Sequence, residues 1–568
     1  MHKKTNEVKL AIPLLMVWLY AATAITGCSK KSSATDPVVI PPPPSLISKS
    51  VTINHQPVSS INYNIGTSPA VKLSFSAPVN RTTVNGNLGF KDKAGVSVAC
   101  SIAYEKSDST LVIQPSSLLS YITSYTVNVS TGLQSVAGGA LASAITINFT
   151  TQIDSSRKFP LISGNALLDS VQKRTFSYFW ELSHPVSGMV RERNSDANIY
   201  TSGGTGFGMM AIVTAIHRNF ITRAQGLTRL KNMVSFLKNT AETFHGAYPH
   251  WLDGTTGKVI PFSTNDNGAD LVETSFLIQG LLTARQYFKG IDGVETNLRK
   301  EIDTIVNRVE WDWFRKNNED VLYWHWSATN ANGWEMNMQV KGWNECLITY
   351  VLAASSTTHP VPKIVYDNGW ASNAGMKNNN VYYGIQLPLG PSLGGPLFFA
   401  HYSFLGINPT DLTDAYANYW AQNKNHTLIN YNYCKANPLN YFGYSDSVWG
   451  LTASNIENGY TAGSPTNDKG YIAPTAALSS FPYTPVESMQ ALKFYYYVLG
   501  DKIWKEHGFV DAFSLHSTWF ANSFLAIDQG PIIVMIENHR SGLLWNLFMS
   551  CPEIKDGLRS LGFQSPYL

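Results

Sequence analysis

Three carboxylates crowd the segment Asp266-Asn267-Gly268-Ala269-Asp270-Leu271-Val272-Glu273. Spacings of four and three place Asp266, Asp270 and Glu273 on one face if the segment is helical. Leu271, Ile278 and Leu282 then supply an apolar face behind them. Like charges this close push at least one pKa upward, whereas a helix N-terminus favours the charged forms. Perturbed carboxyls of this kind concentrate where proton transfer is done. The plain alternative is an Asp266 cap followed by ordinary first-turn acids.

Other polar groups stand near enough in sequence or pattern to join them. Tyr248, His250 and Trp251 lie just upstream. Tyr248 and Trp251, with Trp343, are candidates for stacking on a flat ligand face, and His250 for donating to a hydroxyl. Core packing explains the three aromatic rings equally well. The run Ser202-Gly203-Gly204-Thr205-Gly206 has no strand before it and no Lys-Ser/Thr after it, so a phosphate loop is excluded. It reads as a tight loop entering a helix near Phe207, with Thr205 in contact with substrate. Glu345 follows Trp343 at the start of an apolar helix. Asp528 stands alone among apolar residues, which is costly unless it is paired or functional. Glu537 and Arg540 are binding candidates too, although their spacing equally describes a salt bridge along a helix.

Helical periodicity begins near Leu167. Candidate helices cover 165–182, 206–219, 224–243, 270–289, 295–314, 342–355, 411–423, 487–499 and 535–549. Many helices with few strands make an all-α domain over 158–568. The Gly/Pro/Tyr-rich stretches 359–405 and 425–485 are too long for plain connections and are read as site-building insertions. Residues 46–154 behave differently. Val71–Phe75, Tyr125–Val129 and Ile145–Phe149 alternate apolar and polar residues, and Thr110–Ile113 is another short run of strand formers. Turn signals separate them, which predicts a β-sandwich. It holds no convergent His, Cys or carboxylate cluster, so it is read as a spacer or docking module.

The N-terminus predicts export. Basic residues precede an apolar run from Leu10 to Ile25, and Ile25-Thr26-Gly27-Cys28 resembles a bacterial lipobox. Residues 1–27 are then a signal peptide, Cys28 a lipidated N-terminus, and 28–45 a Pro-rich spacer. The expectation is a lipoprotein of the bacterial outer membrane, on its periplasmic side or the cell surface. A net charge of +3 with no Lys/Arg stripe argues against nucleic acid. The remaining cysteines, Cys100, Cys346, Cys434 and Cys551, have no zinc-type spacing and read as free thiols. Aromatic residues reach 12% against 14% charged, a balance that suits sugar stacking but also any large core.

With these pieces in hand, the region from Leu167 onward resembles the glucoamylase-like family of bacterial proteins, and within it glycoside hydrolase family 144, the bacterial β-1,2-glucanases. The resemblance rests on Thr201–Gly206, Asp266–Thr274, Gly342-Trp343-Asn344-Glu345 and Ala526–Pro531, in that order. Phe75–Val79 and Phe149–Thr151 resemble bacterial Ig-like domains. The resemblance implies a multidomain chain, an all-β sandwich followed by an (α/α)6 barrel. It also implies inverting hydrolysis of β-1,2-glucan without metal or organic cofactor. An inverting enzyme needs two carboxyls about 6.5–9.5 Å apart across the sugar. Residues on one helix line only one wall, so a partner from another wall is needed, and Glu345 and Asp528 are the candidates. The resemblance implies Glu345 as general acid and Asp528 as the base that activates water, directly or through a chain of hydroxyls or waters. Asp266, Asp270 and Glu273 would hold sugar hydroxyls and tune the acid, with direct proton transfer by one of them as the alternative. Endo action by a monomer is the leading expectation. Exo release of sophorose and a catalytically inactive glycan-binding protein are the other two.

Overall fold

The computed structural model describes residues 41–568. The signal segment, Cys28 and most of the Pro-rich spacer lie outside the described residues. Among those described, no helix is long and apolar enough to cross a membrane.

Residues 46–151 form two facing sheets. One is five-stranded in the order Gln56–Pro57, Ser48–Ile53, Val71–Phe75, Thr110–Pro115, Cys100–Glu105, all antiparallel. The other runs Asn62–Ile65, Ile145–Thr151, Ser124–Val129, Leu88–Asp92, with Asn62–Ile65 parallel to its neighbour. Alternation along Val71–Phe75 buries Val71, Leu73 and Phe75 and leaves Lys72 and Ser74 partly exposed. Leu111, Ile113, Val127, Ile147 and Phe149 meet them in one core. The expected sandwich is therefore present, and all four predicted strands belong to it.

The rest is helical. The Ser202–His217 and Leu271–Tyr287 helices are buried around almost their whole circumference, so neither shows an amphipathic stripe. They cross closely because Gly206 and Gly280 face each other. A Cβ on Gly206 would strike the Phe276 carbonyl, and one on Gly280 would strike Gly206. The Ala526–Ser541 helix packs against the other side of Ser202–His217. There Gly530 admits the Phe207 ring and Gly204 admits Ala526. Outside this inner layer lie the amphipathic Arg223–Asn239 and Gly293–Asn307 helices, packed on each other.

Two boundaries correct the sequence reading. The expected 411–423 helix is a loop until Asn418, and the true helix is Tyr419–Ala436. It therefore occupies part of the stretch read as the insertion 425–485. Its buried face is polar: Gln422 bonds the Leu389 backbone, His426 the Gly395 carbonyl and Asn430 the Leu451 backbone. Apolar periodicity is silent where amides do the packing. The expected 535–549 helix is two, Ala526–Ser541 and Leu543–Met549, broken at Gly542 with φ 69°. The first of them begins nine residues earlier than expected and runs through Pro531. Cys346, Cys434 and Cys551 are buried free thiols and Cys100 is a partly buried one.

Candidate active site

Asp270 caps the Leu271–Tyr287 helix from an extended backbone, its Oδ1 accepting from the N–H groups of Val272 and Glu273 at 3.0 and 2.9 Å. Glu273 lies in the first turn, and Asp266 sits in the loop before the cap. The one-face helical reading is thus corrected. Residues 269–270 are extended because they pair with His325–Trp326. That ladder sets His325 opposite Asp270, with Nε2 at 3.5 Å from Asp266 and 3.8 Å from Asp270. On the other side His250 Nδ1 lies 3.1 Å from Asp270 Oδ2. His250 is delivered by a second small ladder, in which Thr201 pairs with Trp251 and the Ser202 N–H donates to the His250 carbonyl.

Glu273 reaches across to the neighbouring helix. Its Oε2 accepts from the Gly203 N–H at 2.9 Å and from Thr201 at 3.3 Å. A Cβ at Gly203 would land on this carboxylate, which is why glycine stands there. The Gly-rich run is therefore the first turn of a helix, not a loop before one.

The carboxyls are driven apart in pKa. Burial pushes Glu273 up to about 7 and Asp266 up to about 6, with the Asp270 charge adding to both. Burial also acts on Asp270, but the His250 hydrogen bond and the His325 charge outweigh it and hold that carboxyl low. Burial opposes a charge on His250, yet Glu273, Asp270 and Glu192 push it up to about 10. His250 is therefore a cation at neutral pH.

Glu345 stands just before the Leu347–Ser355 helix, not within it. Asn344 accepts from the Cys346 N–H and the Trp370 indole, and Ser403 donates to the Glu345 carbonyl, so the backbone there is held on both sides. Burial pushes the Glu345 carboxyl up to about 7, reinforced by the charges of Glu273 and Asp270.

Asp528, in the first turn of Ala526–Ser541, is not alone. Asp511 lies close enough that each carboxyl bears on the pKa of the other. Asp511 Oδ1 and Asp528 Oδ2 are buried without a donor, a deficit that one proton shared between them would relieve. Burial and the Asp511 charge push Asp528 far above the usual carboxylate range, and burial takes Asp511 up to about 6. The buried phenol of Tyr402 feels the charges of Asp528, Glu345 and Glu273 together, which ties the three acids to one locale.

A cavity of about 320 Å³ opens beside His250 and Glu273, lined also by Glu192, Arg193, Trp251 and Tyr460, among others; Glu345, Asp511 and Asp528 stand outside its lining. Phe262, half exposed, packs against His250 at 4.4 Å and Trp251 at 4.7 Å between ring centroids. Trp251, Phe262 and Tyr460 give it an aromatic wall. A larger cavity of about 590 Å³ lies elsewhere, where Arg285 is taken up by ion pairs with Asp303 and Glu553.

Several sequence candidates fall outside the site. Tyr248 is fully buried and donates to the Leu237 carbonyl beside Arg308. Trp343 packs among Trp370, Phe404 and Tyr419. Thr205 is buried, donating to the Thr201 carbonyl and accepting from the Val190 N–H. Glu537 is clamped by Arg218 at 2.6 and 2.8 Å, and Arg540 pairs with Asp169 rather than with Glu537. These five are structural. The sequence reading missed Glu192, Arg193, Phe262, His325, Tyr402, Tyr460 and Asp511. Arg191-Glu192-Arg193 offered a charge signal; the others lie in stretches with no periodicity to mark them. His250, Asp266 and Asp270 bring ligand atoms within 4.8 Å of one another. Asp270, however, is already committed to two N–H groups and two imidazoles, a poor donor set for a resident ion.

Buried carboxyls of divergent pKa beside exposed aromatic faces, on a helical scaffold, make an acid–base enzyme site with the parts a glycoside hydrolase needs. The family comparisons agree. A profile described as "Putative glucoamylase" matches residues 337–552, and one described as "Bacterial Ig-like domain" matches 42–151. The endo-β-1,2-glucanase of Chitinophaga pinensis, solved with sophorotriose and glucose, is 52% identical with a TM-score of 0.70. The match covers 72% of this chain and 100% of that one. A β-1,2-glucanase from Parabacteroides distasonis is 36% identical with a TM-score of 0.69, over 91% of this chain and 73% of that one. An exo β-1,2-glucooligosaccharide sophorohydrolase acting at the non-reducing end, also from Parabacteroides distasonis, is 45% identical over 433 residues. That is 72% of this chain, which spans 60% of the relative's length. The chain belongs to the glucoamylase-like family that contains the β-1,2-glucanases, glycoside hydrolase family 144.

Proposed function

We propose that this chain hydrolyses β-1,2-glucan with inversion, with Glu345 as general acid and Asp528 as the base. The observation that carries the assignment is the Glu345 carboxyl, pushed up to about 7 beside a low-pKa Asp270. It holds a proton near neutrality and can give it up there. In the proposed step that proton goes to the leaving glycosidic oxygen as the C1–O bond breaks. A water oxygen forms the new bond to C1, and its proton passes to the Asp511–Asp528 pair. The pair carries one proton and one negative charge, so it can accept a second proton. His250 and Glu273 offer a donor and an acceptor to sugar hydroxyls, Asp270 orients His250, and Trp251 and Phe262 offer ring faces.

Endo cleavage is the leading reading, supported by the 52% identity to the Chitinophaga endo-enzyme. Exo release of sophorose is the second, supported by the 45% identity to the Parabacteroides sophorohydrolase. An (α/α)6 arrangement is the proposed ring, supported by the buried inner helices and the amphipathic outer ones. Attachment through a lipidated Cys28 is likewise a proposal, resting on residues 10–28 alone.

The test is a time course on linear β-1,2-glucan with product sizes resolved. A spread of oligosaccharides at early times is expected, and a disaccharide alone would establish the exo reading. Glu345→Gln should lower kcat by about 10²–10⁴-fold. No hydrolysis by the unaltered protein at any pH would falsify the assignment and leave a glycan-binding role.

A further inference from the structure

Two hairpins run from the cleft to the Ig-like module. The first pairs Ala453–Ile456 with Gly459–Ala462, and the second pairs Phe513–Ser514 with Trp519–Phe520. Both carry site groups on the cleft side. Tyr460 lines the cavity beneath the Arg193 guanidinium, 5.6 Å from its ring centroid. Asp511 stands at the base of the second hairpin, its N–H donating to the Ser523 carbonyl at 2.9 Å. Asn455, which faces Tyr460 one pair short of the first hairpin's turn, ties that hairpin to the base of the second. Its N–H donates to Asp511 Oδ2 at 2.7 Å and its side-chain amide donates to Ser523 Oγ at 2.6 Å. Its side-chain oxygen accepts from Arg193 at 3.0 Å.

The outer ends of the same hairpins meet one sheet of the module. Lys93, just after the Leu88–Asp92 strand, donates to Glu457 and to the Ser517 carbonyl, each at 2.7 Å. One ammonium thus bridges both tips. Tyr63 stacks on Phe442 at 5.0 Å and 13°, and its hydroxyl lies 2.9 Å from His516 Nε2. The hydroxyls of Ser124 and Thr518 are 3.3 Å apart. Lys93, Tyr63 and Ser124 all belong to, or directly follow, strands of the four-stranded sheet.

A two-stranded hairpin is marginal by itself. Its position is set by what holds each end. Here Asn455 fastens the first hairpin, near its turn, to the base of the second, and the module holds both turns. An exposed ion pair alone does little, but Lys93 has two acceptors and Tyr63 adds an aromatic stack.

We propose that the Ig-like module is a positioning element of the cleft: through Lys93, Tyr63 and Ser124 it holds the two hairpins that present Tyr460, Asn455 and Asp511. The kinetic consequence rests on the glucanase reading; the mechanical one does not.

Both can be read separately in the full-length protein. Hydrogen exchange of 453–462 and 513–520 should quicken about 10-fold in Tyr63→Ala/Lys93→Glu, while the Ser202–His217 helix keeps its protection. On β-1,2-glucan the same variant should lose about 5- to 30-fold in kcat/KM, carried mainly in KM. Tyr63→Phe, which keeps the stack, should stay close to the parent. Lys93→Glu alone should be partly rescued by adding Glu457→Lys, which a merely structural loss would not allow. Should the double variant fail to fold, Lys93→Gln repeats the measurement. Unchanged hairpin exchange, or faster exchange with unchanged kinetics, overturns the proposal. Faster exchange in a protein whose parent does not cleave β-1,2-glucan sinks the glucanase reading and leaves the mechanical link standing.

Discussion

At the scale of residues, the site is a set of proton wells at different depths. Asp270 is held low by two imidazoles, Glu273 and Glu345 are lifted by burial, and Asp528 is lifted further by burial and the Asp511 charge. This has a consequence for stability. A carboxyl whose pKa is raised in the folded state binds more protons there than when unfolded. Its contribution falls as pH rises through the window between the two values. For Glu345 that window runs from 4.5 to about 7. The Glu345→Gln variant should therefore show a flatter fall in Tm than the parent between those pH values, measured by thermal melts. Equal slopes would mean that Glu345 is not lifted.

Asp511 gives a second residue-scale prediction. Asn keeps the size and the acceptor for the Asn455 N–H but cannot share a proton as a carboxyl does. Asp511→Asn should shift the acid limb of the pH–rate profile and cut kcat by at least about 10-fold, with KM less affected. A kcat unchanged at all pH values would remove Asp511 from the proton path.

At the scale of elements, small residues decide where the acids go. Ser202–His217 and Leu271–Tyr287 touch backbone to backbone at Gly206 and Gly280, and that contact carries Glu273 to the Gly203 N–H. Gly206→Ala would drive a Cβ into the Phe276 carbonyl. It should destabilise the domain by about 1–3 kcal/mol, as overpacking does, and lower activity more than an equally destabilising change in an outer helix. Chemical denaturation paired with rates at matched folded fraction would separate the two effects. Activity falling only in step with stability would mean that the crossing is structural alone.

At the scale of the molecule, the chain joins a sandwich, a helical domain and a predicted membrane tether. The tether reading makes its own prediction. In a Gram-negative host, Cys28→Ala should move the protein from the membrane fraction to the soluble fraction, and lipid labelling should be lost. Retention in membranes by the alanine variant would argue for an uncleaved anchor instead. The sandwich holds the turns of both hairpins through Lys93 and Tyr63, so a module read as a spacer has one contact, Lys93 to Glu457, that ends three residues from Tyr460.

The sequence by itself determined the two-part architecture, because period-2 and period-3.6 patterns are local and differ sharply on either side of residue 158. It also singled out the Asp266–Glu273 cluster by the crowding of like charges and Asp528 by its isolation among apolar residues, while Glu345 was marked by the resemblance to the family. It could not distinguish a buried Tyr248 or Trp343 from a ligand platform, since an aromatic ring looks the same on a core face and on a cleft wall. Nor could it see Asp511, His325 or Tyr460. Their relevance comes from partners distant in the chain: Asp528 for the first, Asp270 for the second, Arg193 for the third. Those meetings are made by helix crossings and short ladders whose register depends on long-range packing. Only the tertiary structure decides which acid faces which charge, and therefore which proton is held at neutral pH.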